Sequence, residues 1–192
     1  MKFSAALFVG GRSSRMGSDK ALLRIDGVAL WQRQLRTLQE LQSSEIFFVG
    51  PAKEEWIEIG CECVPDAANN VGPIGGLVSA LRRCTDPHLL VLAIDLPEMR
   101  PDFLGNLLVL CAENHGVIPK TNERFEPLAA IYPASCLMLA ESCLSVGEYS
   151  LQEFARRAIN ADLLVVREIT SAEESLFFNL NTPADLAAIA TR

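Results

Sequence analysis

The chain has only two histidines, and its six cysteines (Cys61, Cys63, Cys84, Cys111, Cys136 and Cys143) include no Cys-x-x-Cys pair. That excludes the usual zinc frameworks and a disulfide scaffold, and leaves the thiols to act as small apolar side chains in a reducing compartment. Positive charge is also scarce, with 17 Lys and Arg against 24 Asp and Glu, a net charge of -7. The composition therefore argues against a broad basic surface for nucleic acid, and any anion must be held locally. No apolar run approaches the roughly 18 residues that a membrane-spanning helix needs. The N-terminal FSAALFV (3–9) passes straight into a charged loop, so it reads as a first strand rather than a signal peptide. These absences predict a soluble, cytoplasmic protein with no nucleic-acid or membrane partner. With 192 residues, 49% of them hydrophobic, the expectation is one domain over residues 1–192.

What is present is an alternation of short apolar runs with segments of helical period, the pattern of βαβ units around a mainly parallel sheet. The runs are SAALFV (4–9), EIFFV (45–49), CECV (61–64), HLLVLAI (88–94), GVIP (116–119), LAAIY (128–132) and DLLVV (162–166). HLLVLAI shows no polar alternation, as expected of a central strand covered on both faces. Trp31, Leu35, Leu38 and Leu41 mark a helix over 28–42, and Leu77, Leu81 and Cys84 one over 73–84. Phe103, Leu107 and Leu110 mark a third, and 134–160 reads as helical with Gly147 as a break. Cys61 and Cys63 read as alternate positions on a strand, not as metal ligands.

Four places carry candidate chemistry. The first strand runs into VGGRSSRMGSDK (9–20), where Gly10 and Gly11 let backbone N–H groups turn toward a ligand and Arg12, Arg15, Lys20 and Arg24 concentrate cations. It is neither a Walker A sequence nor a GxGxxG fingerprint. The second is Asp66 followed by GPIGGL (72–77). Pro73 suits a first helical position, and Gly72, Gly75 and Gly76 leave that helix start bare for a ligand or for tight packing. The third is Asp95, just past the run 88–94 and before Pro97, where a carboxylate is placed for a hard cation, a ribose or a helix cap. In the fourth, FFNLNTPADL (177–186), Thr182-Pro183 reads as a helix start and Asn179 stays unexplained by capping.

Together these segments resemble the molybdenum cofactor guanylyltransferase family, within the nucleotidyltransferases that also contain cytidylyltransferases. The resemblance rests on Phe8-Val9-Gly10-Gly11, Ser13 to Gly17, Asp19-Lys20, Asp66 with Gly72-Pro73-Ile74-Gly75-Gly76, and Asp95-Leu96-Pro97. Glu126-Pro127-Leu128 with Tyr132, and Asn179 to Pro183, extend it over essentially the whole chain. It implies a Rossmann-like, three-layer α/β fold with a mainly parallel, mixed central sheet. The implied reaction transfers GMP from GTP to the phosphate of molybdopterin or Mo-molybdopterin and releases pyrophosphate, with Mg2+ as cofactor. By resemblance, Arg15, Lys20 and Asp95 are catalytic, and Asp95 holds the metal. Phe8, Val9, Gly10, Gly11, Lys20, Asp66, Gly72 and Gly76 hold the nucleotide, and Asn179 and Asn181 lie toward the acceptor pterin or the metal. Cofactor insertion proteins or chaperones are further expected partners. Phe8-Val9 departs from the family's Leu-Ala and narrows the expected base pocket, and Ala93-Ile94 replaces a frequent Cys before the aspartate. Gly10-Gly11, against the Ala-Gly of cytidylyl relatives, leans toward guanine. The competing readings are a CTP-dependent enzyme and a nucleotide-binding module without catalysis.

Overall fold

The computed structural model describes residues 1–10, 20–68, 70–122 and 124–190. Its frame is one eight-stranded sheet. Strand β1 (Phe3–Phe8) lies between β4 (Ile46–Val49) and β6 (His88–Ala93), parallel to both, and β5 (Cys63–Val64) adds in parallel beyond β4. On the other side of β6 come β9 (Ala129–Pro133), β7 (Gly116–Thr121) and β10 (Leu164–Glu168), with the short β8 (Arg124–Phe125) on β7. The run expected at 128–132 is thus a strand, but it runs antiparallel to both β6 and β7. The reversal comes one strand earlier: β7 and β8 are separated by two residues, too few for the dozen or more that a parallel crossover requires, so β8 runs antiparallel to β7 and β9 keeps the direction of β8.

The period-2 alternation of β1 divides the core. Phe3, Ala5, Leu7 and Val9 face one side, Ala6 and Phe8 the other. The first side is covered by α1 (Leu30–Gln39), α2 (Glu54–Glu58), α4 (Pro101–Leu110) and α7 (Pro183–Ala190), the second by α3 (Pro73–Arg83), α5 (Cys136–Ser145) and α6 (Leu151–Asn160). Helix α1 buries Leu30, Trp31, Leu35 and Leu38 at helical spacing. Its neighbour α2 is too short for a periodic signal and is held by one side chain, the fully buried Trp56, edge-on to Phe48 at 5.0 Å. The break expected at Gly147 is present between α5 and α6, with φ +79°.

The sheet order fixes where a ligand belongs. From β1 the chain steps outward to β4 and β5, then returns across to β6 on the opposite side of β1. The carboxyl ends of β1 and β6 therefore flank the point at which the strand order reverses, where open α/β sheets bind their ligands. Phe8 and Asp95 stand at those two ends, tied by a hydrogen bond from the Ile94 N–H to the Phe8 carbonyl (3.0 Å).

Candidate active site

Three segments far apart in sequence converge beyond β6. Lys20 opens a short 3-10 helix (Lys20–Leu22); its Nζ donates to Asn181 Oδ1 at 2.8 Å and lies 3.5 Å from Asp95 Oδ2. Asp95 is 27% exposed in its side chain, and Lys20 17%, so the pair is sheltered but open to a ligand. The loop after Asp95 is fixed from α1, where the buried Gln34 amide donates to the Leu96 carbonyl. The asparagine segment is fixed by Leu180, whose side chain is fully buried and whose N–H donates to the Asp95 carbonyl at 2.9 Å. Asn179 and Asn181 flank this anchor, one lining a cavity and the other on Lys20. Beyond them Thr182 caps α7, as its sequence suggests. Its hydroxyl accepts from the Asp185 N–H at 3.2 Å, while Asp185 accepts from the Asn181 and Thr182 N–H groups.

Two cavities meet here. The larger, about 620 Å³, runs over the carboxyl ends of β1, β4 and β5 and is lined by Phe8, Gly10, Val49, Asp66, Asn70 and Gly72. The smaller, about 360 Å³, is lined by Arg124, Glu126, Ser150, Gln152 and Asn179 among others. Asp95, Pro73 and Leu128 border both, so Asp95 stands on the boundary between them.

In the larger cavity Asp66 Oδ1 sits over Gly76, where an added Cβ would be 3.0 Å from it and 3.0 Å from both Phe8 and Val49. Partial burial there pushes the Asp66 carboxyl above its ordinary pKa. Gly75 and Gly76 are buried in the packing of α3 on the sheet, Gly76 directly beneath Asp66, whereas Gly72 borders the cavity. The opening loop needs a correction. The Val9 and Gly10 N–H groups both donate to the Val49 carbonyl (3.0 and 3.2 Å), so neither is turned toward a ligand. Gly50, at φ +135°, lies close against the Gly10 backbone: a Cβ there would stand 2.8 Å from Gly10 N. The Gly-Pro after the run 45–49 was its signal in the sequence. Arg24, counted among the loop cations, donates to Gly27 O at 2.6 Å across the hairpin of β2 (Arg24–Ile25) and β3 (Val28–Ala29), whose Asp26-Gly27 turn was also legible. Gly11 and Arg15 lie outside the described residues.

The Asp95 carboxylate itself offers oxygen ligands, which suit a hard cation. Among the described residues, however, no group of three or more His, Cys, Asp or Glu side chains gathers to hold a metal. One carboxylate is what Mg2+ commonly takes from a protein when phosphates and water supply the rest. Asp95 therefore fits magnesium carried with a nucleotide.

An ion pair outside the cavities supports the asparagine segment. Arg167 on β10 meets Glu173 through two contacts of 2.5 and 2.6 Å, and its guanidinium lies 5.2 Å from the Phe103 ring, which packs edge-on against Phe177 at 5.4 Å. The Arg167 hydrogen bonds, with those from Thr170, hold the Glu173 carboxyl at about 2. A carboxyl depressed in the fold contributes stability that is complete above its unfolded pKa of about 4.5 and lost as pH falls through about 2. Glu173→Gln is therefore expected to lower the melting temperature at pH 7 and to converge on the wild type near pH 2. Parallel melting curves across that range would refute the coupling.

The chain is similar to known proteins over most of its length. The family model for the MobA-like NTP transferase domain matches residues 5–162. A protein of Opitutus terrae named "Probable molybdenum cofactor guanylyltransferase" is 34% identical over 185 residues, covering 95% of this chain and 92% of its own. One of the same name from Pelotomaculum thermopropionicum is 29% identical, covering 97% and 91%. The solved molybdopterin-guanine dinucleotide biosynthesis protein A of Archaeoglobus fulgidus superposes with a TM-score of 0.77 at 26% identity, over 98% of this chain and 97% of that one. A cytidylyltransferase from Thermus thermophilus, at 14% identity and a TM-score of 0.73, shares the fold. With its sheet reversing at β1 and β6 and its family pattern running through most of the sequence, the chain belongs to the MobA-like NTP transferase family.

Proposed function

We propose that this protein transfers GMP from GTP to the phosphate of molybdopterin or its molybdenum-bearing form. An oxygen of the acceptor phosphate forms a bond to the α-phosphorus of GTP, the bond from that phosphorus to the bridging oxygen breaks, and pyrophosphate leaves with the electron pair. The observation that carries this reading is the pair of cavities sharing Asp95: one takes the nucleotide, the other the acceptor, and the reacting phosphates meet at their boundary. Such a transfer depends on positioning and charge neutralisation more than on a covalent nucleophile. Lys20 holds phosphate oxygens, Asp66 and the cavity wall at Phe8 and Gly10 face the base, and Asn181 orients the Lys20 ammonium. Magnesium, when bound with the nucleotide at Asp95, supplies further neutralisation of the phosphate charge.

The deciding experiment measures pyrophosphate release with molybdopterin, Mg2+ and either GTP or CTP, alongside thermal shifts with each nucleotide. GTP is expected to support turnover and to stabilise the protein, by about 2.7 kcal/mol at a hundredfold excess over Kd. Equal turnover and stabilisation by CTP would replace guanylyl with cytidylyl transfer. Nucleotide binding without pyrophosphate release would make the protein a binding module.

A further inference from the structure

The segment between β8 and β9 is held more rigidly than a connecting loop requires. Gln152, at the start of α6, grips Phe125 from both sides: its Oε1 accepts from the Phe125 N–H at 3.1 Å and its Nε2 donates to the Phe125 carbonyl at 2.8 Å. The Glu126 N–H donates to Pro119 O at 2.8 Å, and the fully buried Tyr132 donates its hydroxyl proton to Pro127 O at 2.6 Å. The Ala93 N–H closes the segment onto β6 through Leu128 O at 2.7 Å. The result is a preorganised wall of the smaller cavity, bearing Arg124 and Glu126 and reaching toward Asp95.

Glu126 is the unusual member of this wall. One of its oxygens accepts from Thr121 Oγ1 at 2.8 Å, and among the described residues the other accepts no hydrogen bond. Burial raises its carboxyl above the ordinary range, opposed by Thr121 and Arg124 and reinforced by the charge of Asp95. A carboxylate short of donors, on a fixed wall, is complementary to a flat ligand that presents adjacent N–H groups. Two such donors in one plane match a carboxylate in the way a guanidinium does. The 2-amino-4-oxo edge of a pterin carries that pair at N3 and the 2-amino group.

We infer that Glu126 is the residue by which the smaller cavity selects its acceptor, pairing with the N3–H and 2-amino edge of a pterin while the acceptor's phosphate end lies at Asp95. The inference rests on the acceptor being a pterin, as proposed above. Arg124, Ser150, Gln152 and Asn179 also line the cavity, and of its carboxylates Glu126 is the one on the fixed wall, Asp95 standing at the boundary with the larger cavity.

The test uses Glu126→Gln in the full chain, a substitution that keeps the side chain's size and an oxygen for Thr121. Three quantities are measured in both proteins: the KM for molybdopterin at saturating GTP, GTP affinity by calorimetry, and binding of 6-hydroxymethylpterin by its fluorescence. Melting curves check that the variant is folded. The expected result is a rise of about tenfold or more in the molybdopterin KM, the scale of a lost charged hydrogen bond, a parallel loss of 6-hydroxymethylpterin binding, and GTP affinity within twofold of wild type. An unchanged molybdopterin KM overturns the inference and leaves the proposed reaction standing. Weakened GTP binding with intact pterin binding also overturns it, by assigning Glu126 to the nucleotide side. Glu126-dependent pterin binding in a wild-type protein that forms no dinucleotide upholds the inference and refutes the reaction.

Discussion

Asp95→Asn is expected to lower turnover by two to three orders of magnitude, while the protein melts within a few degrees of wild type. The size follows from its position on the boundary of the two cavities, where the proposed reaction builds up charge as pyrophosphate departs. Losing a charge interaction worth about 3–4 kcal/mol in the transition state corresponds to that loss of rate. Stability changes little because the Asp95 side chain is partly exposed and its main-chain carbonyl, which the substitution leaves in place, is what anchors Leu180. GTP affinity should fall less than in Lys20→Ala, since in the proposed reaction the lysine meets the phosphates directly and the aspartate acts through a cation. Raising Mg2+ should restore part of the turnover, because asparagine keeps an oxygen there. A turn or cap role predicts the opposite: about 1 kcal/mol less stability and nearly normal rate. Pyrophosphate release and melting temperature on one preparation distinguish the two.

Gly116→Ala is expected to have the largest effect on stability of any single methyl added to the sheet. Gly116 opens β7, pairs with Leu164 of β10, and lies against the main chain of β9. A Cβ there would penetrate the Ile131 carbonyl oxygen and stand 2.8 Å from Pro133 Cδ and 2.9 Å from the Ile131 carbonyl carbon. These are backbone and ring atoms, and β9 cannot retreat without leaving its ladder with β6. Overpacking usually costs about 1–3 kcal/mol, and a clash with a fixed strand belongs at or above the top of that range. Against a total of about 5–15 kcal/mol, this is a substantial fraction. Urea unfolding midpoints that agree with wild type would show that β9 yields more easily than its pairing implies.

The strands and the long helices were legible because their side chains alternate or recur with the period of the element. HLLVLAI could only be a strand covered twice, and it became β6, fully buried along its length. Other features were hidden for physical reasons. The helix around Trp56 spans five residues, less than two turns, and its stability comes from one aromatic contact that no local pattern announces. The reversed direction of β9 depended on the length of a turn, not on the apolar run itself. At the site, the resemblance singled out Lys20, Asp95 and Asn181, but placed Asn181 toward the pterin or the metal and did not foresee its hydrogen bond from Lys20. The wall made by Gln152 and Phe125 was not foreseeable, because it joins a helix start to a two-residue strand 27 positions away, through amide hydrogen bonds that surface glutamines rarely signal. The loop glycines show a third kind of gap. Gly10 was read as presenting its N–H to a ligand, whereas the sheet takes that N–H, and the glycine that the local geometry demands is Gly50 on the neighbouring strand.

The hydrogen bond from Lys20 to Asn181 spans 161 positions of sequence. During synthesis the sheet is complete once β10 has emerged, yet the contact that orients the Lys20 ammonium must wait for the segment after Leu180. A nascent chain thus gains a folded, nucleotide-sized cleft before it gains a correctly set lysine. Translation order itself delays competence, so a product truncated before Asn181 would carry the whole sheet but not the three-residue junction that joins its first loop, its central strand and its final helix.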